Sequence, residues 1–313
     1  MGGRRGSGGA APRTLDIMSI GRGRSLREVV EAGEKSFSFE FFPPKDEAGE
    51  AQLWDAVRAL EPYRPTFVSV TYGAGGSSRG TTVRVTRRIA QETSMLPMAH
   101  LTCVGHTRTE LEAVLDEYAA AGVHHVMALR GDPEGGPRAD WTPTEGGLTY
   151  ATELVELVAA RGEFRIGVAA FPERHPSSPS LDHDADVLAA KARAGAEFAV
   201  TQMFFRAEDY VSLVERVRAR GVDLPILPGI MPILNLAAIR RQGELIGTDV
   251  PEEVVSRIAA HEGDAVSMRA EGIALAAELC QDLLDAGAPG LHFYTLNRSK
   301  ATLEIFEKLD VRP

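Results

Sequence analysis

The chain has 313 residues, of which 44% are hydrophobic and 25% charged, a composition that allows a sizeable core in one large domain or two ordinary ones. Its formal net charge of −10 argues against a nucleic-acid partner, because phosphate binding requires a concentrated basic surface. No apolar run approaches the ~18 residues of a membrane span, and the N-terminal segment lacks the apolar core of a secretory signal. We therefore expect a cytoplasmic protein without a membrane partner.

The sequence divides into a short tail and one long structured region. Residues 1–24 are rich in glycine and arginine and have no hydrophobic periodicity, which predicts a disordered tail. Residues 25–313 alternate between apolar runs and amphipathic segments, which predicts a single domain. Cys103 and Cys280 both lie in apolar segments, so we expect two buried, reduced thiols.

Eight short runs rich in β-branched and aromatic residues predict the strands of this domain. In chain order they are Phe37–Phe42, Phe67–Tyr72, Met98–Cys103, His125–Arg130, Arg165–Phe171, Phe198–Phe204, Pro225–Ile230 and Leu291–Leu296. Apolar residues at three- and four-residue spacing predict helices between them, several ending at a glycine. These helices are Thr81–Glu92, Glu110–Ala121, Ala151–Arg161, Ala185–Ala194, Ala207–Arg220, a long and mostly helical span Leu236–Ala286, and Lys300–Leu309.

Regular alternation of strands and helices predicts a parallel sheet that is covered on both faces. Eight such units favour a closed (β/α)8 TIM barrel over a doubly wound open sheet, with extra helices between strands 7 and 8. Functional residues of such a barrel lie at the carboxyl ends of its strands. Polar residues occur there in seven of the eight units: Glu40, Thr71, His100, Asp132, Glu173, His175, Gln202, Asn297 and Arg298. Since polar groups are costly to bury without partners, their convergence predicts an active site.

Glu40 is the clearest of these residues, because it interrupts an aromatic strand that ends at two prolines. Alternation places Ser38 and Glu40 on one face of the strand and the phenylalanines on the other. Glu40 is therefore expected to point into the mouth of the barrel, with the aromatic rings packed against the helices. A carboxyl group among apolar walls should have a raised pKa, which suits a general acid. A structural glutamate paired with a basic residue is the alternative.

Two further segments carry weaker patterns. The glycine of the Arg130–Asp132 segment allows a ligand to approach the backbone closely. The loop Tyr72–Ser78 could cradle a phosphate, although a simple glycine-rich turn is equally consistent with it. The acidic and histidine residues near His175 and His183 lack a zinc-ligand spacing, so we predict no metal site.

Taken together, these segments resemble the catalytic domain of bacterial-type methylenetetrahydrofolate reductases over Ser36 to Val311. The matching motifs are Ser38–Lys45, Phe67–Ser77, His100–Cys103, Ala128–Glu134, Val168–Ser177, Ala194–Arg206, Pro228–Ile233 and His292–Ser299. The resemblance implies reduction of 5,10-methylenetetrahydrofolate to 5-methyltetrahydrofolate, which supplies methyl groups for methionine synthesis. It also implies bound FAD, with NADH or NADPH as the hydride donor. No residue decides between the two nucleotides or fixes the oligomeric state, although the family often self-associates.

The resemblance also implies individual roles. Glu40 would be the acid that protonates the bridging nitrogen of the folate, Asp132 would stabilise the cationic intermediate, and Gln202 would bind the pterin and the nicotinamide in turn. The implied FAD contacts are Thr71, Ala74, His100, Arg130, Gly131, Asp132, Tyr150, Ala151, Phe171, His175, Asp184 and Lys191. The implied substrate contacts are Gln202, Tyr294 and Arg298.

Four positions depart from the family pattern. Phe171 stands in place of a usual tyrosine, and Ala238 in place of a folate-contacting glutamine. Val187 and Ala190 replace two polar anchors of the FAD phosphate–ribose side, at an expected cost of about 1–3 kcal/mol each. The departures leave open the same reaction without bound flavin, with hydride passing directly from the nicotinamide. A metal-dependent lyase or hydrolase using Asp132, Glu173 and His175 and a non-catalytic folate- or flavin-binding module are further alternatives.

Overall fold

A computed structural model describes residues 26–72 and 79–310 of the chain. The tail predicted for residues 1–24 and the predicted flavin contact Ala74 lie outside these ranges. Within them, none of the helices is long and apolar enough to cross a membrane. Cys103 and Cys280 are both free and buried, as predicted.

Nine parallel strands form one sheet that curls into a nearly closed barrel. They are β1 (Ser36–Phe41), β2 (Phe67–Val70), β3 (Pro97–Thr102), β4 (His125–Leu129), β5 (Arg165–Ala170), β6 (Phe198–Thr201), β7 (Ile226–Leu227), β8 (Gly229–Ile230) and β9 (Gly290–Tyr294). Their order is β7-β6-β5-β4-β3-β2-β1-β9-β8. The two outermost strands, β7 and β8, are separated in the chain by Pro228 alone, so the (β/α)8 barrel fold is confirmed.

The strand predicted as Pro225–Ile230 is divided because Pro228 has no N–H to donate to a sheet. β7 pairs with β6 on one side of this proline, and β8 pairs with β9 on the other. The Pro228 carbonyl still accepts a hydrogen bond from the His292 N–H at 2.9 Å, which joins the two edges. The sheet therefore has nine strands where the sequence pattern predicts eight.

The helices alternate with the strands on the outside of the barrel. They are α1 (Leu26–Glu31), α2 (Glu47–Leu60), α3 (Arg79–Glu92), α4 (Arg108–Ala120), α5 (Ala151–Ala159), α6 (Leu181–Ala194), α7 (Ala207–Arg218), α8 (Leu236–Ile246), α9 (Glu252–Ala259), α10 (Ala265–Asp285) and α11 (Lys300–Phe306), with a 3-10 helix at Glu61–Tyr63. The three extra helices α8, α9 and α10 lie between β8 and β9, as predicted. Helices α1 and α2 were not predicted from the sequence.

The aromatic face of β1 packs outward, as the alternation in its sequence predicts. The rings of Phe37 and Phe39 lie 5.4 and 5.8 Å from that of Phe306 in α11, measured between centroids. Ser38 and Glu40 consequently point to the interior of the barrel. This packing fixes β1 from outside and presents its two polar side chains inside.

The amino-terminal end of the barrel is closed by apolar packing. Leu26 of α1 is buried there in a cluster with Phe67, Met98, Met127, Phe198, Val200 and Leu227. Phe67, Met98 and Phe198 lie at the beginnings of β2, β3 and β6. The opposite end, where the predicted functional residues lie, is thus the one open to ligands.

Candidate active site

Glu40 lies inside the barrel, where it contacts side chains from three other strands. Its Oε2 atom is 3.3 Å from the hydroxyl of Ser69 on β2, 3.4 Å from Nε2 of His100 on β3 and 3.5 Å from Nε2 of His292 on β9. A contact from β1 to β3 across the intervening β2 is possible only on the concave face of a curled sheet. The predicted direction of Glu40 is therefore correct.

The surroundings of Glu40 differ from the apolar walls that the sequence suggested. Burial raises the pKa of this carboxyl, but the hydrogen bond with His292, the nearby imidazoles of His100 and His292 and the Ser69 hydroxyl together lower it more. The pKa of Glu40 thus lies below its ordinary value, and the prediction of a raised pKa is wrong. The reason is that strand pairing brings two histidines and a serine to the carboxylate, and all of these favour its charged form.

His100 is almost completely buried beside Glu40. Burial lowers the pKa of its imidazole, the Glu40 charge raises it, and the neighbouring His292 lowers it, with a net value below the ordinary one. His100 is consequently a neutral ring at pH 7. It lies 3.4 Å from the Glu40 carboxylate rather than among the residues that line the large cavity described next.

A cavity of about 620 Å³ opens at the carboxyl ends of β4, β5 and β6, a volume within the range of small-molecule sites. Ten of the predicted site residues line it: Arg130, Gly131, Asp132, Tyr150, Ala151, Phe171, His175, Asp184, Lys191 and Gln202. The first and last of these residues, Arg130 and Gln202, are 72 positions apart in the chain. The fold thus joins the greater part of the predicted flavin set into a single concave surface.

Lys191 supplies a buried cation to this cavity. Its ammonium group donates to the Ala169 carbonyl at 3.2 Å, and its residue is only 8% exposed. Burial lowers the pKa of Lys191 to about 8, while the Asp184 charge raises it and the Arg130 charge lowers it. A lysine with that pKa is still mostly protonated at pH 7, so the cavity wall carries a positive charge that an anionic ligand can pair with.

The Arg130–Asp132 segment forms part of the cavity lining. Gly131 has φ +80°, and a Cβ atom there would lie 2.4 Å from Cγ1 of Val104. Only glycine fits this position, for both conformational and steric reasons. The Arg130 guanidinium lies 5.0 Å from the centre of the Trp141 ring, and Asp132 is exposed at the rim.

The β5–α6 connection is held together by its own polar groups. The Asp184 carboxylate accepts the backbone N–H of His175 at 3.0 Å, and the His175 ring packs edge-on against Phe171 at 4.7 Å. Burial and the Arg130 charge lower the pKa of His175, against Asp184 and Asp132, which raise it. Phe171 and His175 thereby form a rigid aromatic corner of the cavity.

Gln202 directly follows β6, and Tyr294 is the last residue of β9. The side-chain carbonyl of Gln202 accepts from the Met203 N–H at 2.9 Å, which leaves its amide nitrogen as the end available to a ligand. The Tyr294 hydroxyl donates to the Thr201 carbonyl at 2.6 Å. Tyr294 therefore offers its ring, rather than its hydroxyl, to the barrel mouth.

The remaining predicted residues lie outside the lining of the cavity. Thr71 follows β2 and is half-buried, and Arg298 is exposed after β9. Asn297, one of the polar residues at strand ends, has a structural role: its amide accepts from the Phe42 N–H at 2.8 Å and donates to the Phe42 carbonyl at 2.9 Å. In the described ranges no group of three or more His, Cys, Asp or Glu residues is placed to hold a metal ion.

His292, Ser38 and Ser69 also belong to the site, although they were not predicted as site residues. Their signal was present, since each is a polar residue inside an apolar strand. Only the register reveals their relation: Ser38 pairs with His292 and Glu40 with Ser69.

Comparison with known proteins gives a consistent result. The sequence profile of the methylenetetrahydrofolate reductase family matches residues 25–310. The chain is 36% identical to the 5,10-methylenetetrahydrofolate reductase of Pectobacterium carotovorum over 93% of its own length and 94% of that protein. It is 35% identical to methylenetetrahydrofolate reductase 1 of Schizosaccharomyces pombe, of which it spans 46%. Among solved structures, a protein from Clostridium thermocellum described as binding two copies of 5-methyl-5,6,7,8-tetrahydrofolic acid shares the fold, with a TM-score of 0.59, 12% identity and coverage of 91% of this chain and 98% of that one.

Proposed function

The chain belongs to the methylenetetrahydrofolate reductase family and is an oxidoreductase acting on 5,10-methylenetetrahydrofolate, and we propose that Glu40 protonates this substrate. The single observation that supports this role is a buried carboxylate in the barrel interior, held by groups from three strands. A general acid must be placed within hydrogen-bond reach of the atom that it protonates. A side chain fixed in this way is suited to that task.

Protonation by Glu40 makes the subsequent hydride transfer possible. The proton goes to the bridging N10 atom, whose bond to the methylene carbon then breaks with the electron pair remaining on nitrogen. The methylene carbon is left as an iminium on N5, which accepts a hydride and becomes the methyl group. Asp132, exposed at the rim of the cavity, stabilises this cation by its negative charge. Gln202 binds the pterin through its amide nitrogen.

The side chains that line the cavity have the chemical groups that a flavin dinucleotide requires. Phe171 and Tyr150 offer aromatic surfaces, Arg130 and Lys191 offer cations for a diphosphate, and Gly131 permits close approach to the backbone. A flavin bound there would carry hydride from NADH or NADPH to the folate. We assign to that role the nine predicted flavin contacts that line the cavity, together with Thr71 and His100, which lie outside its lining.

The same cavity also supports a second candidate, in which hydride passes directly from the nicotinamide to the folate. Val187 and Ala190 line the wall of the cavity and offer a dinucleotide phosphate no polar contact. A bound FAD would consequently be held mainly by Arg130 and Lys191. Titration of the purified protein with FAD, followed by its visible absorbance and by quenching of flavin fluorescence, separates the two candidates. Full activity in protein freed of flavin would favour direct transfer.

The acid assignment is tested by Glu40→Gln, which keeps the size and shape of the side chain and removes its ionisable proton. We expect the rate of NAD(P)H-dependent methylenetetrahydrofolate reduction to fall by about 10²–10⁴-fold, the usual contribution of a general acid. Substrate and FAD affinity should change little. An unchanged rate would contradict the assignment. The metal-dependent alternative is tested in parallel with Glu173→Gln and with a chelator. A metal-dependent enzyme would lose activity in each of these two experiments.

A further inference from the structure

A line of polar contacts leads from β1 through β9 and back to β1. The hydroxyl of Ser38 is 2.8 Å from Nδ1 of His292, and Nε2 of the same ring is 3.5 Å from Oε2 of Glu40. The Ser38 hydroxyl also lies 3.5 Å from the Leu291 carbonyl. His292 is fully buried and stacks on Phe67 at 5.7 Å, so solvent does not reach its ring directly.

The hydrogen-bond partners of Ser38 and His292 limit which ring nitrogen of His292 can carry a proton. The Leu291 carbonyl can only accept, so a Ser38 hydroxyl that donates to it must accept a hydrogen bond from the Nδ1–H group of His292. Nε2 of a neutral His292 then carries a lone pair that faces the Glu40 carboxylate. Two acceptors face each other unless a proton lies between them, and a buried pair of that kind is costly without it.

On this basis, and resting on the function proposed above, we propose that His292 and Glu40 share the proton that is delivered to the folate, with Ser38 orienting the His292 ring. His292 is a positioning residue in this scheme, since it acts through Glu40. One proton leaves the pair through Glu40 and forms the new N10–H bond. Glu40 and His292 are left as a carboxylate and a neutral imidazole, and a proton from solvent restores the pair for the next turnover.

The other groups around Glu40 are less suited to this role. His100 faces the same Oε2 atom at 3.4 Å, but its Nε2 has no hydrogen-bond partner among the described residues, whereas both ring nitrogens of His292 have one. Tyr294 has its hydroxyl committed to Thr201, and burial together with the Glu40 charge raises its pKa well above the ordinary value. Ser69 can donate to the carboxylate but cannot hold an extra proton.

A shared proton also reconciles the lowered pKa of Glu40 with its task as an acid. In a coupled pair the proton belongs to both groups, and the apparent pKa is a property of the pair. The carboxylate of such a pair can be charged while the imidazole beside it holds the proton.

The first test is the pH dependence of kcat in three variants. His292→Gln can still donate to Glu40 but cannot hold a proton, so the alkaline fall in kcat should move to lower pH by about one unit or more. Ser38→Ala, a smaller change, should move it in the same direction by less. His125→Gln removes a buried histidine at the amino-terminal end of β4 and should leave the profile unchanged. A uniform loss of kcat at all pH values in His292→Gln, with no shift, would reduce His292 to a structural role and overturn the proposal.

The second test does not depend on catalysis. With only eight histidines in the chain, ¹⁵N-histidine labelling allows the two ring nitrogens of His292 to be assigned by comparison with His292→Gln. We expect Nδ1 to carry a proton throughout, and Nε2 to lose its proton with rising pH in wild type at the same pH as the alkaline fall in kcat. In Glu40→Gln the Nε2 titration should shift to lower pH. A neutral His292 with Nε2–H at all pH values would overturn the proposal.

The two tests separate failure of this inference from failure of the proposed function. If the proposed function is wrong, the wild-type protein will show no turnover. The ¹⁵N chemical shifts of His292 would still report whether the proton is shared. Conversely, an active enzyme whose His292 never holds a second proton would retain the proposed function and reject the shared proton.

Discussion

A charged side chain that is buried in this barrel lowers the stability of the fold. Lys191 is the clearest case, because its ammonium group is buried beside one carbonyl while its partner Asp184 is already engaged by the His175 N–H. The pKa of Lys191 falls from 10.5 to about 8 through burial, which means that the folded protein holds this proton less tightly than the unfolded chain does. A cation held in this way is more useful to an anionic ligand than to the fold.

The stability cost of Lys191 predicts an unusual pH dependence. Below pH 8 the buried charge disfavours folding by about 3 kcal/mol, and this penalty is relieved as the pH rises from 8 to 10.5. Lys191→Met should therefore raise the free energy of unfolding at pH 7 by up to about 3 kcal/mol and remove the rise above pH 8. Chemical denaturation between pH 7 and 10 measures this effect.

The control for this experiment is Lys300→Met, which removes an exposed charge in α11. It should leave the pH slope as in wild type. Lys191→Met should in addition weaken FAD binding in fluorescence titrations, although the protein is more stable. A destabilised variant that binds FAD as tightly as wild type would contradict both parts of the argument.

At the scale of elements, the position of Glu40 depends on how β1 ends. Asn297, which follows β9 with φ +56°, bonds to both the N–H and the carbonyl of Phe42, two residues after Glu40. The Thr295 hydroxyl also donates to the Glu40 carbonyl at 2.7 Å. The loop after β9 thus acts as a clamp on the carboxyl end of β1. Its side chains bond to the β1 backbone beyond the last strand pairing, as a neighbouring strand would.

Removal of this clamp should affect stability and catalysis together. Asn297→Ala leaves the Phe42 backbone groups without partners and puts an alanine in a left-handed conformation, at a cost of about 2–4 kcal/mol. We expect kcat to fall as well, because the Glu40 carboxylate loses its fixed position. Thermal unfolding and steady-state kinetics measure the two effects. Asn297→Asp keeps the acceptor for the Phe42 N–H and should be intermediate, and equal losses in both variants would argue against the clamp.

At the scale of the whole molecule, the two ends of the barrel have different tasks. The amino-terminal end is closed by α1, with Leu26 packed in a cluster that includes Phe67 and Phe198, the first residues of β2 and β6. The carboxyl-terminal end holds Glu40, the cavity and the polar loops. Substitutions at the first end are thus expected to change stability without changing the chemistry.

Leu26→Ala tests this division. The loss of a buried leucine side chain should lower the free energy of unfolding by about 2–3 kcal/mol. The ratio kcat/KM, measured well below the unfolding temperature, should be the same as in wild type. Val30→Ala in the same helix changes a partly buried side chain and should cost less. A fall in kcat/KM for Leu26→Ala in fully folded protein would show that the two ends are coupled.

Much of the architecture follows from the sequence, because it depends on local periodicity. Alternation in β1 predicts both the outward phenylalanines and the inward Glu40, and all eight strand positions are confirmed. Helix α2 was missed although Asp46 accepts the Gly49 N–H as its N-cap and the apolar positions Leu53, Val57 and Leu60 have helical spacing. The division of the seventh strand at Pro228 could have been read from the missing N–H.

Patterns within short segments are enough to predict the barrel and the direction of Glu40. Most of the residues that line the cavity were instead predicted from the resemblance to a known family. The tertiary structure alone decided the protonation chemistry of Glu40. Its pKa depends on His100, from a strand that is not adjacent to β1, and on His292, which lies 252 residues away in the chain. Electrostatic interactions act through distance in space, and that distance is set by strand register and barrel closure, which no local pattern contains.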